Sequence, residues 1–120
     1  LLYARSAVVL HAAAYNLQAM DMVWLDLQDL EGLRQEALSG AAMGFTGKQI
    51  IHPNQVQVVQ EAFTPSAEAI EFAKRVVEAA EAYQQAGKGA FALNGKMVDA
   101  PVIKAAERIL ERARAAGKAV

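Results

Sequence analysis

The sequence predicts an α/β fold built around a parallel β–α–β unit, on three observations. Two short and mainly apolar runs, MDMVWLDL (residues 20–27) and GKQIIH (residues 47–52), lack helical spacing and suit strands covered on both faces. Between them, Leu33, Ala37, Leu38, Ala41 and Ala42 recur at helical intervals over residues 30–43, and Gly44 is placed to end that helix. The connections are short, and strand, helix and strand in that order describe parallel strands joined by a crossover helix.

Composition bounds what such a fold can do. The 120 residues, 54% hydrophobic and 21% charged, suffice for one core. A formal net charge of −1, with no run of lysine or arginine, excludes nucleic acid and an acidic membrane surface as principal partners. The absence of cysteine rules out a disulfide framework, a thiolate metal site and a cysteine nucleophile, and fits a reducing compartment. No apolar run approaches the roughly 20 residues of a membrane span, and Leu1-Leu2-Tyr3-Ala4-Arg5 does not resemble a signal peptide. The sequence starts without methionine and already inside a helical pattern, so a fragment of a longer protein is expected.

Each element has its own local reason. Residues 2–17 place apolar side chains at intervals of three and four, with Ala12, Ala13 and Ala14 adding propensity, which predicts an amphipathic helix. The strand over 20–27 brings Asp26 and Asp29 to or just past its carboxyl end. The strand over 47–52 stops at Pro53, which has no N–H to continue a ladder. In parallel α/β folds the ligand sits beyond the carboxyl ends of the strands, so Asp26 to Asp29 and His52 to Asn54 are expected on one rim. Residues 54–63 read as a helix with Val56, Val58, Val59 and Phe63 partly buried. Thr64 then reads as an N-cap, with Pro65 in the first turn of a helix running to residue 85. Its stripe is Ile70, Ala73, Val76, Val77, Ala80 and Tyr83. Gly87 and Gly89 break it, and Asn94-Gly95 between Phe91-Ala92-Leu93 and Lys96-Met97-Val98 predicts a tight hairpin. Residues 100–116 form a last helix with Ile103, Ala106, Ile109, Leu110 and Ala113 on one side. The stripes through Val76 and Ile109 are core or subunit-interface surface.

Several polar residues invite a chemical reading beside a structural one. Asp99, directly before Ala100-Pro101, is a natural N-cap worth about 1 kcal/mol. His52, alone, is more often a structural hydrogen-bonder than a base. Lys48 could meet a phosphate, although a solvated lysine is commoner, and the glycine spacing of a Walker loop is absent. Asp26, Asp29 and Glu31 are compatible with Mg²⁺ but have no diagnostic spacing, and are read as rim structure or substrate positioning. Gly87, Gly89 and Gly95 serve turns, or would let a lid close.

The order of four motifs adds a resemblance. MDMVWLDLQDLEGL, GAAMGFTGKQIIHPNQ, FTPS and GKGAFALNGKMVDAP together resemble the C-terminal part of the citrate lyase beta-like proteins, within the larger family of citramalyl-CoA, malyl-CoA and related lyases. The likeness covers nearly the whole chain. It implies the C-terminal portion of a TIM (β/α)8 barrel: residues 1–62 would be its last strands and helices. Residues 63–120 would be a helical C-terminal extension with a small hairpin, folding over the active site of a neighbouring subunit in a homotrimer. It also implies a Mg²⁺-dependent carbon–carbon lyase acting on 3-hydroxyacyl-CoA thioesters. The metal-binding glutamate and aspartate, and a substrate-binding arginine, belong to the part of the family pattern that this chain lacks. By the same resemblance Asp99 in MVDAP is the catalytic residue, moving a proton at the thioester α-carbon. Gln49, Ile50, Ile51, His52 and Pro53 would contact the CoA or acyl portion. Rival readings are the beta subunit of a citrate lyase complex acting on an acyl-carrier thioester, and a non-catalytic domain for oligomerisation. The expected compartment is a bacterial cytoplasm, or the mitochondrial matrix in a eukaryote.

Overall fold

The computed structural model describes residues 1–87 and 89–120, and these divide into two units, Leu1–Phe63 and Thr64–Val120. Lys88, in the glycine stretch before the hairpin, lies outside the described residues.

The first unit runs α1 (Leu2–Ala14), β1 (Met20–Asp21), α2 (Leu30–Met43), β2 (Gly47–Lys48), a 3₁₀ turn at Pro53–Gln55, and α3 (Val56–Phe63). β1 and β2 pair in parallel, Met20 opposite Gly47 and Asp21 opposite Lys48, with α2 as the crossover. Asp29 starts α2 by accepting a hydrogen bond from the Gly32 N–H at 2.8 Å. Gly44 ends it in the left-handed region, at φ 111°, where a side chain would be strained. Leu33 of α2 packs with Val58 and Val59 of α3, and Trp24, Leu30 and Phe63 close around them.

Three expectations for this unit are corrected. The strands are two residues each, not eight and six. After Asp21 the carbonyls of Trp24 and Leu27 accept from the side-chain amides of Gln55 and Asn54, at 2.9 and 3.0 Å, in place of a neighbouring strand. After Lys48, the Ile51 N–H donates to Gln55 Oε1 at 2.9 Å, and the chain enters the 3₁₀ turn at Pro53. Nor are both faces covered, because Met20, Leu25, Ile50 and Ile51 are exposed beside a ladder of only two strands. Finally, α1 ends at Ala14 and buries none of its residues fully. It turns Arg5, Val9 and Ala12 partly inward and leaves Leu2, Tyr3 and Leu10 in solvent. The Arg5 side chain, which reaches Asp21, sets that face.

The second unit runs α4 (Ala67–Gln85), β3 (Phe91–Leu93), β4 (Lys96–Val98) and α5 (Ala100–Ala115). The cap of α4 is Ser66, whose Oγ accepts from the Ala69 N–H at 3.1 Å, so Thr64 is not the cap and Pro65 precedes the helix. β3 and β4 form the expected antiparallel hairpin, Phe91 opposite Val98, with Asn94 at φ 50° and Gly95 at φ 75°. Both values are positive, as a two-residue turn matched to strand twist requires. Ile70, Ala73 and Val76 of α4 pack on Phe91, Val98, Ala106, Leu110 and Ala113, with Ile109 partly buried beside them. The Val76 stripe is therefore core within this unit. Tyr83 stacks on Phe91, with ring centroids 4.5 Å apart. Among the described residues no helix is long and apolar enough to cross a membrane.

Candidate functional site

The carboxyl ends of β1 and β2 rest on a buried ionic cluster. Asp21, the last residue of β1, is 1% exposed, and Lys48, opposite it on β2, is 5% exposed. Arg5 of α1 grips the carboxylate with both prongs, Nε to Oδ1 at 3.1 Å and Nη2 to Oδ2 at 2.7 Å. Lys48 Nζ lies 3.6 Å from Asp21 Oδ2 and donates to Glu36 Oε1 of α2. Two cations thus meet two anions, and Arg5 also lies over the Phe45 ring, 5.8 Å from its centroid. Close approach to α2 needs Gly40, since a Cβ there would fall 2.5 Å from Asp21 Oδ2.

Burial pushes the Asp21 carboxyl up. The hydrogen bonds from Arg5 and the Met22 N–H, with the charges of Lys48 and Arg5, outweigh that and hold it below the usual range. The hydrogen bond to Asp21 holds Arg5 above its ordinary value in spite of desolvation. Lys48 is accordingly neither a solvated lysine nor one free for a phosphate. The sequence reading missed this cluster, although charged residues inside two apolar runs were a usable signal.

Beyond the cluster, the loops after β1 and β2 are stitched together. Gln55 is fully buried and uses both ends of its amide, Nε2 to the Trp24 carbonyl and Oε1 from the Ile51 N–H. Asn54 Nδ2 adds the bond to the Leu27 carbonyl, and His52 Nδ1 lies 2.9 Å from Asn54 Oδ1. Gln49 is held by its N–H on the Asp21 carbonyl at 3.0 Å. Gln49, Ile50, Ile51, His52 and Pro53 therefore form a continuous strip whose side chains are exposed, braced from beneath by Gln55. Gln55 was not foreseen, because a polar residue at the start of the helix read over 54–63 looks like solvent-facing surface.

The acids of the same region have local duties. Asp26 Oδ1 accepts from the N–H groups of Gln28 and Asp29, closing a turn, while Asp29 caps α2. Glu31 accepts from Gln35 Nε2 at 2.7 Å and lies 3.8 Å from Arg34. Among the described residues no group of three or more His, Cys, Asp or Glu could hold a metal ion.

Asp99 lies in the second unit, exposed between β4 and α5. Its Oδ1 accepts from the Val102 N–H at 3.3 Å, with Pro101 in the first helical turn, so the capping reading holds. Among the described residues its second oxygen has no hydrogen-bond partner. A cavity of about 430 Å³ opens nearby, floored by Val77, Ala80, Phe91 and Ile103, but Asp99 does not line it.

Comparison with known proteins sets this geometry in a family. The description "C-C bond lyase of the TIM-barrel fold" matches residues 3–118. Mitochondrial citramalyl-CoA lyase of Mus musculus is 51% identical over 110 residues, covering 92% of this chain and 32% of that protein. Citrate lyase subunit beta of Haemophilus influenzae is 40% identical over 114 residues, covering 95% of this chain and 39% of that protein. Among solved structures, protein CitE of Mycobacterium tuberculosis, in complex with magnesium, acetoacetate and coenzyme A, superposes with a TM-score of 0.80 at 44% identity. That match covers 93% of this chain and 40% of the other. The chain thus spans 32% to 40% of the length of these relatives. Matched along nearly its whole length by the family description, the chain belongs to the carbon–carbon bond lyases of the TIM-barrel fold.

Proposed function

We propose that this protein is a carbon–carbon lyase that cleaves, or in reverse forms, a 3-hydroxyacyl-CoA thioester such as citramalyl-CoA or malyl-CoA. The products are acetyl-CoA and pyruvate or glyoxylate. The observation that carries the reading is the identity to a citramalyl-CoA lyase along nearly the whole chain, the strip from Gln49 to Pro53 and the MVDAP turn included in the family match. Coenzyme A in the Mycobacterium tuberculosis relative supports the same ligand chemistry.

In cleavage, the bond between the thioester α-carbon and the hydroxyl-bearing carbon breaks, the hydroxyl proton passes to a base that sequence outside these residues would supply, and the oxygen becomes the carbonyl of the 2-oxo acid. The acetyl-CoA enolate then takes a proton on carbon. We assign that transfer to Asp99, which returns a proton here and removes one in condensation. Capping through Oδ1 leaves Oδ2 for the chemistry. Gln49, Ile50, Ile51, His52 and Pro53 hold the CoA or acyl portion, with the N–H groups of Gln49 and Ile51 already engaged within the protein.

A magnesium ion belongs to the relative's complex. The described residues of this chain do not fit such an ion, since Asp26, Asp29 and Glu31 are engaged in a turn, a cap and helix pairing. Its ligands would come from sequence outside these residues. We further assign residues 1–62 to the last strands and helices of the barrel. Residues 63–120 become an extension on a neighbouring subunit of a homotrimer, so that Asp99 serves the neighbour's site. The compartment is a bacterial cytoplasm or a mitochondrial matrix.

Turnover of citramalyl-CoA and malyl-CoA, with Mg²⁺ present, tests the reading, and an acyl-carrier thioester tests the citrate lyase subunit in parallel. That second reading has its own support in the Haemophilus influenzae relative. Cleavage of the carrier thioester with no action on either CoA ester would replace the first reading with the second. Asp99→Asn separates cap from chemistry, because asparagine caps a helix as well as aspartate. It is expected to lower kcat by about 10²-fold or more with KM little changed. Binding lost in step with turnover would remove Asp99 from the proton transfer.

A further inference from the structure

His52 and Asn54 meet in a contact whose chemistry a third group decides. Asn54 Nδ2 donates to the Leu27 carbonyl at 3.0 Å. Reversing the amide would set its oxygen against that carbonyl oxygen, two acceptors with no proton between them. With the amide so held, Oδ1 lies 2.9 Å from His52 Nδ1. An amide oxygen cannot donate, so the contact is a hydrogen bond only when Nδ1 carries the proton. The Asn54 N–H also approaches Nδ1, at 3.2 Å, which is a bond only when Nδ1 is bare. One neutral ring cannot do both, and the shorter contact to a pinned amide favours Nδ1–H.

We infer that Asn54 is a positioning residue that holds His52 as its Nδ1–H tautomer, so that Nε2 is a hydrogen-bond acceptor offered to an N–H or O–H group of the substrate. The identity of that substrate rests on the lyase reading above. Two features of the site carry the inference further. His52 is exposed, and among the described residues nothing hydrogen-bonds to Nε2. Asn54 also joins the loops following β1 and β2, so one side chain both fixes the spacing of the two loops and sets what the ring presents. On a 3-hydroxyacyl-CoA the available donors are the N–H and O–H groups of the CoA moiety and the 3-hydroxyl of the acyl portion.

The test is ¹⁵N NMR of the intact protein labelled in histidine, at a pH where the ring is neutral, with His52→Gln to assign the signals. Protonated Nδ1 and bare Nε2 are expected in the wild type. Asn54→Ala is expected to release that preference, and Asn54→Asp, which keeps an acceptor for Nδ1–H, to retain it. A bare Nδ1 in the wild type, or an unchanged ring in Asn54→Ala, overturns the inference; if Asn54→Ala fails to fold, the wild-type spectrum decides alone. Acetyl-CoA and citramalyl-CoA are then added to the Asp99→Asn protein, which limits turnover. An Nε2 shift with both assigns the donor to the CoA moiety, and a shift with citramalyl-CoA alone assigns it to the 3-hydroxyl. No shift with either overturns the substrate contact. Wild-type turnover, measured separately, keeps the two readings apart: turnover without a shift removes only this inference, and a shift without turnover removes only the lyase.

Discussion

At the residue scale, the largest single dependence of the first unit is on Asp21. Replacing it with asparagine keeps the shape but leaves Arg5 and Lys48 short of a charge where both are largely withdrawn from water. Breaking such a pair costs about 3 kcal/mol, toward the lower end of the range for buried pairs because Arg5 retains some exposure. A urea midpoint at neutral pH checks this in Asp21→Asn. The pH dependence has a definite sign. The folded carboxyl titrates below the value of about 3.9 for an unfolded aspartate. Its contribution is therefore fully present above that pH and is lost as the pH falls through the lower, folded value. The wild type should lose stability over that acidic window more steeply than Asp21→Asn. Parallel acid curves for the two proteins would show that the cluster does not carry the linkage. This cluster was only half legible in the sequence. An aspartate and a lysine in apolar runs signal pairing, but which residues face each other depends on register, and a two-residue ladder leaves too little pattern to fix it.

At the element scale, legibility follows how local the governing forces are. The crossover helix is bounded by its own Asp29 cap and Gly44, and the hairpin by Asn94-Gly95, so both were readable from neighbouring residues. Gly95→Ala, at φ 75°, should cost about 1 kcal/mol or more, seen as a lower thermal midpoint. The apolar runs misled because the residues that end the strands are distant in sequence. Gln55 reaches back to Trp24, and Asn54 to Leu27. The same dependence gives a prediction. Gln55→Ala leaves the Trp24 carbonyl and the Ile51 N–H unpaired at a buried site, costing about 2 kcal/mol. Amide exchange at Ile51 should accelerate more than exchange in α4, and equal acceleration in both would mean that Gln55 does not brace this strip locally. The capping half of Asp99 was likewise local and legible, whereas its proposed chemistry rests on family likeness, because an exposed N-cap has no feature of its own that marks catalysis.

At the scale of the whole molecule, the two units are held by different means. The second unit has a contiguous apolar core from Ile70 to Ala113. The first packs a small cluster around Leu33, and the buried polar residues among those described, Asp21, Lys48 and Gln55, belong to it. Among the described residues, its outer faces carry every exposed large apolar side chain except Met97 and Val120. Buried ion pairs contribute little net stability against the cost of desolvation, whereas apolar burial contributes roughly in proportion to area. In the 120-residue polypeptide alone, amide exchange should therefore be faster in α1, β1 and β2 than in α4 and α5. A longer polypeptide in which further strands close a barrel would pair the open edges of β1 and β2 and cover Leu2, Tyr3 and Leu10, and exchange there should slow by orders of magnitude while α4 and α5 change less. Equal protection of both units in the short polypeptide would mean that the ionic cluster is a stronger fastener than its desolvation cost suggests.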